Sequence, residues 1–174
     1  MSGLIHFYYG DGKGKTTAAM GLALRCLGHG RQVILVQFLK DGTSGEVRYL
    51  QQLPGVAVLT APSMGKFVFQ MTSEEKRQCR TQMAQLLEQT HDLWQQEEHA
   101  LLILDEAGTA CDVGMLDEAE LCARAAQWKE RGEVVITGHA PLPKLMELAD
   151  YVTYMQAEKH PYQRGITARE GIEH

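Results

Sequence analysis

No apolar run in this 174-residue chain approaches the roughly 18–20 residues that a membrane-spanning helix needs. The sequence therefore predicts no membrane segment. The first ten residues carry no basic cluster and run straight into glycines, so no secretory signal is expected. Cysteines number only four (Cys26, Cys79, Cys111, Cys122), and none forms a Cys-x-x-Cys pair. The seven histidines show no metal-ligand spacing. A disulfide framework is not indicated, and reduced thiols in a cytoplasmic protein are expected. A basic face is also missing: 17 Lys and Arg stand against 22 Asp and Glu, for a net charge of −5. That balance argues against a nucleic-acid partner. Repeats, low-complexity tracts and linkers are absent, so residues 1–174 read as one domain.

What is present is ordinary for a soluble domain, with 44% hydrophobic and 22% charged residues. The first third holds more basic than acidic residues, the middle third is strongly acidic, and the last third is balanced. A mildly basic first third suits a phosphate ligand. Short apolar runs alternate with helical patterns. The runs are Leu4–Tyr9, Gln32–Phe38, Val56–Thr60, Ala100–Leu104, Glu133–Thr137 and Tyr151–Met155. Being continuously apolar, they predict strands covered on both faces. The helical patterns are Lys15–Leu27, Ser73–Glu98, Leu116–Arg131 and Leu142–Leu148. Thr72 and Glu75 have capping-box spacing at the start of the longest. Gly28 and Gly30 are expected to stop the first helix and Gly132 the third. The alternation predicts an α/β fold, a mostly parallel sheet with helices on both faces. The irregular stretch Asp41–Phe69 falls where such a sheet places its site loops.

The strongest motif is Gly10-Asp11-Gly12-Lys13-Gly14-Lys15-Thr16-Thr17, between the first strand and the first helix. Glycines let backbone N–H groups turn inward around phosphate oxygens, and the helix N-terminus adds positive charge. Lys15 supplies a point charge, and the Thr16 hydroxyl suits Mg²⁺. The general phosphate-loop pattern has four residues between its first glycine and the Gly-Lys pair. Here only three intervene from Gly10, and Tyr9 stands where that glycine would be. A tighter loop should cradle the phosphates differently. The bland reading, a glycine-rich turn with incidental lysines, sits poorly with strand, helix, Lys15 and Thr16 all in register.

A second acid site follows at Ala100–Leu104, a buried run ending in Asp105 and Glu106. A carboxylate at a strand end beside a phosphate loop can hold Mg²⁺ or its waters. The spacing does not choose between the two acids. It places them on a strand neighbouring that of the loop.

Together these blocks resemble the P-loop ATP:corrinoid adenosyltransferases, whose fold is P-loop NTPase-like (RecA-like). The resemblance rests on the short loop continuing through Ala18–Arg25, on Val36-Gln37-Phe38-Leu39-Lys40, Gly45-Glu46 and Leu104-Asp105-Glu106. It continues in Thr137-Gly138-His139-Ala140-Pro141, Ala149–Thr153, Lys159-His160-Pro161-Tyr162, Gly165-Ile166 and Gly171-Ile172-Glu173. It implies transfer of the 5′-deoxyadenosyl group of ATP to Co(I) of a corrinoid such as cobalamin, with triphosphate leaving. By resemblance, Asp11–Thr17 grip the phosphates, and Thr16 with Glu106 serve Mg²⁺. Lys13 and Lys15 stabilise the departing charge, and Arg25 reaches the nucleotide. The resemblance also implies a reduced flavoprotein as electron donor and a homodimer.

In this family two aromatics displace the lower axial ligand of cobalt. Their block, usually Gly-Phe-Thr-Trp, reads Gly65-Lys66-Phe67-Val68-Phe69 here, so the role passes to Phe67 and Phe69. Without the resemblance, aromatics at i and i+2 predict one face of a core strand. His139 stands where the family commonly has arginine. It is either a phosphate contact when protonated or a plain strand-end histidine. The family's N-terminal cover is missing, so residues 157–174 or a partner subunit are expected to close the site. Met64, Met71 and Met83 are expected as packing, like Trp94 and Trp128. His91 and His99 are expected in solvent, and Asp112, Asp117, Glu118 and Glu120 at a helix start and solvated face. The competing activities are a P-loop kinase for a nucleoside or other small molecule, and a non-catalytic ATP-binding module.

Overall fold

Each apolar run becomes a strand, and the strand order is what brings distant motifs together. The computed structural model describes residues 2–40, 42–62, 65–96 and 100–173. In chain order the elements are β1 (Ile5–Tyr9), α1 (Lys15–Gly28), β2 (Val33–Gln37), α2 (Gly45–Leu50), β3 (Val56–Thr60) and α3 (Ser73–Gln96). There follow β4 (Leu101–Asp105), α4 (Ala107–Asp112), α5 (Glu118–Trp128), β5 (Glu133–Gly138), α6 (Pro143–Leu148) and β6 (Tyr151–Tyr154). Single 3₁₀ turns lie at Val68–Gln70 and Pro161–Arg164.

The six strands form one sheet in the order β3-β2-β4-β5-β1-β6, and every pairing is parallel. The acid strand β4 is therefore not the neighbour of β1, as the sequence suggests; β5 separates them. Strand residues alternate between two cores even where the run is unbroken. On one face Val33, Leu35, Leu101 and Ile103 pack with Ala19, Met20 and Ala23 of α1 and Val47 and Leu50 of α2. On the other, Ile34, Val36, Leu102 and Leu104 pack with Met83, Leu87 and Trp94 of α3 and Leu121, Ala125 and Trp128 of α5. Helices thus cover both faces. The edges depart from expectation: β3 is half-buried and β6 exposed throughout.

The Thr72–Glu75 capping box forms reciprocally. Glu75 N donates to Thr72 Oγ1 (3.2 Å), and Thr72 N donates to the Glu75 carboxylate (2.8 Å). Asp117, Glu118 and Glu120 stand at the start of α5, as expected, whereas Asp112 closes α4. Asp117 accepts from Glu120 N, and Glu118 Oε1 accepts from the backbone N–H groups of Lys144 and Leu145 at the start of α6. Gly132 does not stop α5, which ends at Trp128. It lets the chain pass Trp94 and Ala100, since a Cβ there would lie 2.9 Å from the Ala100 carbonyl oxygen. Trp94 and Trp128 are buried, as are Met71 and Met83. His91 is not merely solvated, because Trp128 Nε1 donates to its Nδ1 (3.2 Å). Met64, His99 and the expected helix end at Glu98 lie outside the described residues.

Candidate functional site

All six strands point their C-terminal ends the same way, so the loops after β1, β2, β4 and β5 meet on one edge. After β1, Gly10 (φ 122°) and Gly14 (φ 120°) adopt backbone conformations that side chains resist. The loop is tied down from both sides. Gly10 N donates to the His139 carbonyl (3.0 Å), Gly12 N to the Met155 carbonyl (2.7 Å), and Ala157 N to Asp11 Oδ1 (3.2 Å).

Lys15 opens α1 and is buried. Its Nζ donates to the carbonyls of Gly10 (2.6 Å) and Gly12 (2.8 Å). Burial depresses its pKa, with nearby Glu106 and Asp11 opposing. Lys13 reaches the other way, donating to the Ile172 carbonyl (3.1 Å) and Glu173 Oε1 (3.0 Å). Arg169 also grips Glu173, and these contacts hold that carboxyl well below its ordinary range, the Arg169 hydrogen bonds foremost.

The two acids end β4 in different settings. Asp105 is fully buried. Its Oδ1 accepts from Thr16 Oγ1 (2.8 Å) and Thr137 Oγ1 (2.9 Å). Its Oδ2 accepts from Lys40 Nζ (2.7 Å) and Gln37 Nε2 (3.1 Å). Four donors saturate this carboxylate. Glu106 is partly open and lies 3.8 Å from Lys40 Nζ. Its backbone N donates to Thr137 Oγ1 (2.8 Å). Among described residues, only Leu39 (φ 57°) and Glu106 (φ 63°) are non-glycines with positive φ. Both flank Lys40 and Asp105, and strain of this kind collects at functional sites.

Sequence reasoning missed two of these residues. Thr137 lies on the inserted strand β5 and ties Asp105 to the Glu106 backbone. Lys40 is the cation among the acids: burial opposes its charge, yet Asp105 and Glu106 more than offset that and raise its pKa. Lys40 falls in a motif block, but only the strand order shows what it faces.

Phe67 and Phe69 overturn the core-strand alternative. Phe67 caps a 3₁₀ turn and Phe69 lies within it; they are 71% and 79% exposed and stack with ring centroids 5.6 Å apart at 7°. Val68 and Met71 anchor the segment to the core, and Lys66 Nζ donates to Glu75 Oε1 (2.5 Å).

Three cavities lie along this edge. One of about 930 Å³ is lined by Gly12–Thr17, Lys40, Glu106 and Gly171–Glu173. An apolar one of about 590 Å³ is lined by Ala61, Pro62, Phe69, Met71, Cys79 and Met83. Leu39, Lys40, Lys66, Phe67, Glu106 and His139 line both. A third, of about 790 Å³, joins the first through Lys13 and Glu173 and is otherwise formed by the segment after β6. His139, exposed, stands on the common wall. Arg25 lines none of the three and sits in the last turn of α1, about 15 Å along the helix from Lys15.

Comparisons with known proteins bear on the fold and the family. The cytoplasmic domain of EssC shares the fold, with a TM-score of 0.57 at 17% identity, over 96% of this chain and 34% of that one. A corrinoid adenosyltransferase of Pseudomonas aeruginosa is 30% identical over 98% of this chain and 83% of its own length. One from Escherichia coli K12 is 29% identical over 99% and 86%, and the corrinoid adenosyltransferase CobA of Salmonella typhimurium is 28% identical over the same shares. The family model for the ATP:corrinoid adenosyltransferases BtuR/CobO/CobP matches residues 1–174, and the chain belongs to that family.

Proposed function

We infer that this enzyme transfers the 5′-deoxyadenosyl group of ATP to Co(I) of a corrinoid. The observation that carries the reading is the common wall. A phosphate-loop cavity and an apolar cavity edged by two exposed phenyl rings share Lys40, Phe67, Glu106 and His139. A triphosphate in the first would present its nucleoside toward a macrocycle bordered by the second. Co(I) donates an electron pair to C5′, the C5′–O5′ bond breaks, and that bond's electrons leave with triphosphate.

Charge therefore develops on the leaving triphosphate. Lys15 faces it from the loop once the ammonium turns from the Gly10 and Gly12 carbonyls, and Lys13 once it leaves Glu173. The residues present fit a hard cation. Thr16, Asp105 and Glu106 offer oxygen donors, and the buried Gln37 Oε1 has no hydrogen-bond partner. Thr16 and Glu106 would hold Mg²⁺, which supplies charge neutralisation on the phosphates. Asp105, saturated by four donors, orients Thr16. Phe67 and Phe69 take the family's role of keeping the lower face of the corrinoid free of its axial ligand, which eases reduction of Co(II). A reduced flavoprotein donor and a homodimer complete the proposal.

The test is an anaerobic incubation with Mg-ATP and chemically reduced cobalamin. A photolabile adenosylcorrinoid with stoichiometric triphosphate is expected. No corrinoid change, with ADP formed from a panel of nucleosides, would replace the reading with a kinase.

A further inference from the structure

Lys40 occupies the position where the acids of this site would receive a metal. Its Nζ lies 2.7 Å from Asp105 Oδ2, 3.3 Å from Thr16 Oγ1 and 3.8 Å from Glu106 Oε1. We propose that Lys40 is a built-in competitor of the divalent cation: it holds these oxygens while nucleotide is absent and yields them when metal arrives with ATP. The inference rests on the reading above, that Thr16 and Glu106 take the metal.

Three features support the exchange. The first is charge. Lys40 and the neighbouring Lys15 offset Asp105 and Glu106, so these two carboxylates attract a free divalent ion less than they would without the lysines. Metal bound to the polyanionic nucleotide meets a different balance, because the phosphates offer both ammonium groups new partners. The second is the fate of Asp105. When Lys40 leaves, Thr16, Thr137 and Gln37 still donate to the buried carboxylate, so it is not orphaned. The third is room to move. The Lys40 side chain is 35% exposed and lines both cavities, and its flexible four-carbon stem can carry the ammonium into the phosphate cavity. The positive φ of Leu39 sets this lysine at the end of β2, across from β4.

Lys40 is thus a positioning residue acting through the metal's ligands. Its signature is a gain rather than a loss. Mn²⁺ is titrated into the intact chain, with free Mn²⁺ counted by electron paramagnetic resonance, with and without ATP, and the Mn²⁺ taken up by ATP alone, read from a protein-free titration, is subtracted. The wild type is expected to bind Mn²⁺ weakly alone and tightly with ATP. Lys40→Met is expected to bind Mn²⁺ alone about tenfold more tightly than wild type, within the usual span of coupling between linked sites. Lys40→Arg, which keeps the charge, should stay near wild type. A damaged fold would not tighten metal binding.

Unchanged or weaker Mn²⁺ binding by folded Lys40→Met, with ATP-dependent binding intact, overturns the proposal and leaves the metal site standing. Absence of Mn²⁺ binding in the wild type even with ATP removes the metal site, and this proposal with it. Should Lys40→Met not fold by circular dichroism, the wild type decides: Mn²⁺ binding equally tight with and without ATP refutes competition.

Discussion

Single residues at the site already have partners, and new partners must displace them. Lys15 is held by two loop carbonyls. Replacing it with alanine is expected to raise the KM for ATP and depress turnover, costing about 10²–10³ in kcat/KM, the range seen when one transition-state donor is removed. Steady-state kinetics with supplied Co(I) checks this, and near-normal values would take the loop out of the mechanism. Phe69→Ala should separate two assays. Adenosylation should slow when Co(II) is reduced on the enzyme and change little when Co(I) is supplied; equal losses in both would contradict a role in reduction. Lys66 carries a pH consequence. Its hydrogen bond to Glu75, with the Thr72 backbone, holds the Glu75 carboxyl at about 2 instead of 4.5. A depressed folded value means the tether is fully present above pH 4.5 and fades as pH falls toward 2. Hydrogen-exchange protection of residues 65–71, corrected for the intrinsic rate at each pH, should be constant above pH 4.5 and fall only in that lower window.

Elements position these residues, and two of their joints can be tested. Thr72→Ala removes one half of the α3 capping box and should cost about 1 kcal/mol, a fall in Tm of roughly 2–4 °C, with kinetics unaltered. Gly108 sits where α4 presses on β5: a Cβ there would lie 2.9 Å from the Thr137 carbonyl oxygen and 3.1 Å from Gly138 Cα. Backbone atoms cannot swing aside, so Gly108→Ala should cost about 1–3 kcal/mol by thermal denaturation. It should also weaken ATP binding, because Thr137 ties the acids together. Strands were legible in the sequence because each is a short apolar run between turn residues, and no end moved by more than one residue. Of the three six-residue helices only α6 was legible; α2 and α4 were not, since so short a span need not show a period. The phosphate loop was legible because its chemistry is local: glycines, a lysine and a threonine within eight positions. Lys40 and Thr137 were illegible because their contacts depend on β4 lying beside both β2 and β5, a fact of strand order. The exposure of Phe67 and Phe69 was hidden for a related reason: alternation reads the same in a strand and in a loop pinned by Val68 and Met71.

At the scale of the molecule, the two ends of the sequence meet at the site. Lys13 and Glu173 are joined across almost the whole chain, with Arg169 as the second hold on the carboxylate. If triphosphate takes Lys13, residues 172 and 173 lose their hold on the phosphate loop, and the Arg169 contact stays within the tail. Digestion of the C-terminal residues by carboxypeptidase is therefore expected to quicken with Mg-ATP, and an unchanged rate would show that Lys13 stays with Glu173. Sheet order has a kinetic corollary as well. β1, which leads into the phosphate loop, pairs only with β5 and β6, both from the last third of the chain. β1 thus has to wait for a partner made well over a hundred residues after it, and so distant a closure slows folding. Until Gly138 has emerged, a nascent chain can assemble β2, β3 and β4 while β1 waits for the edge of β5. Nucleotide can then aid only the closing step of folding and has nothing to grip before it.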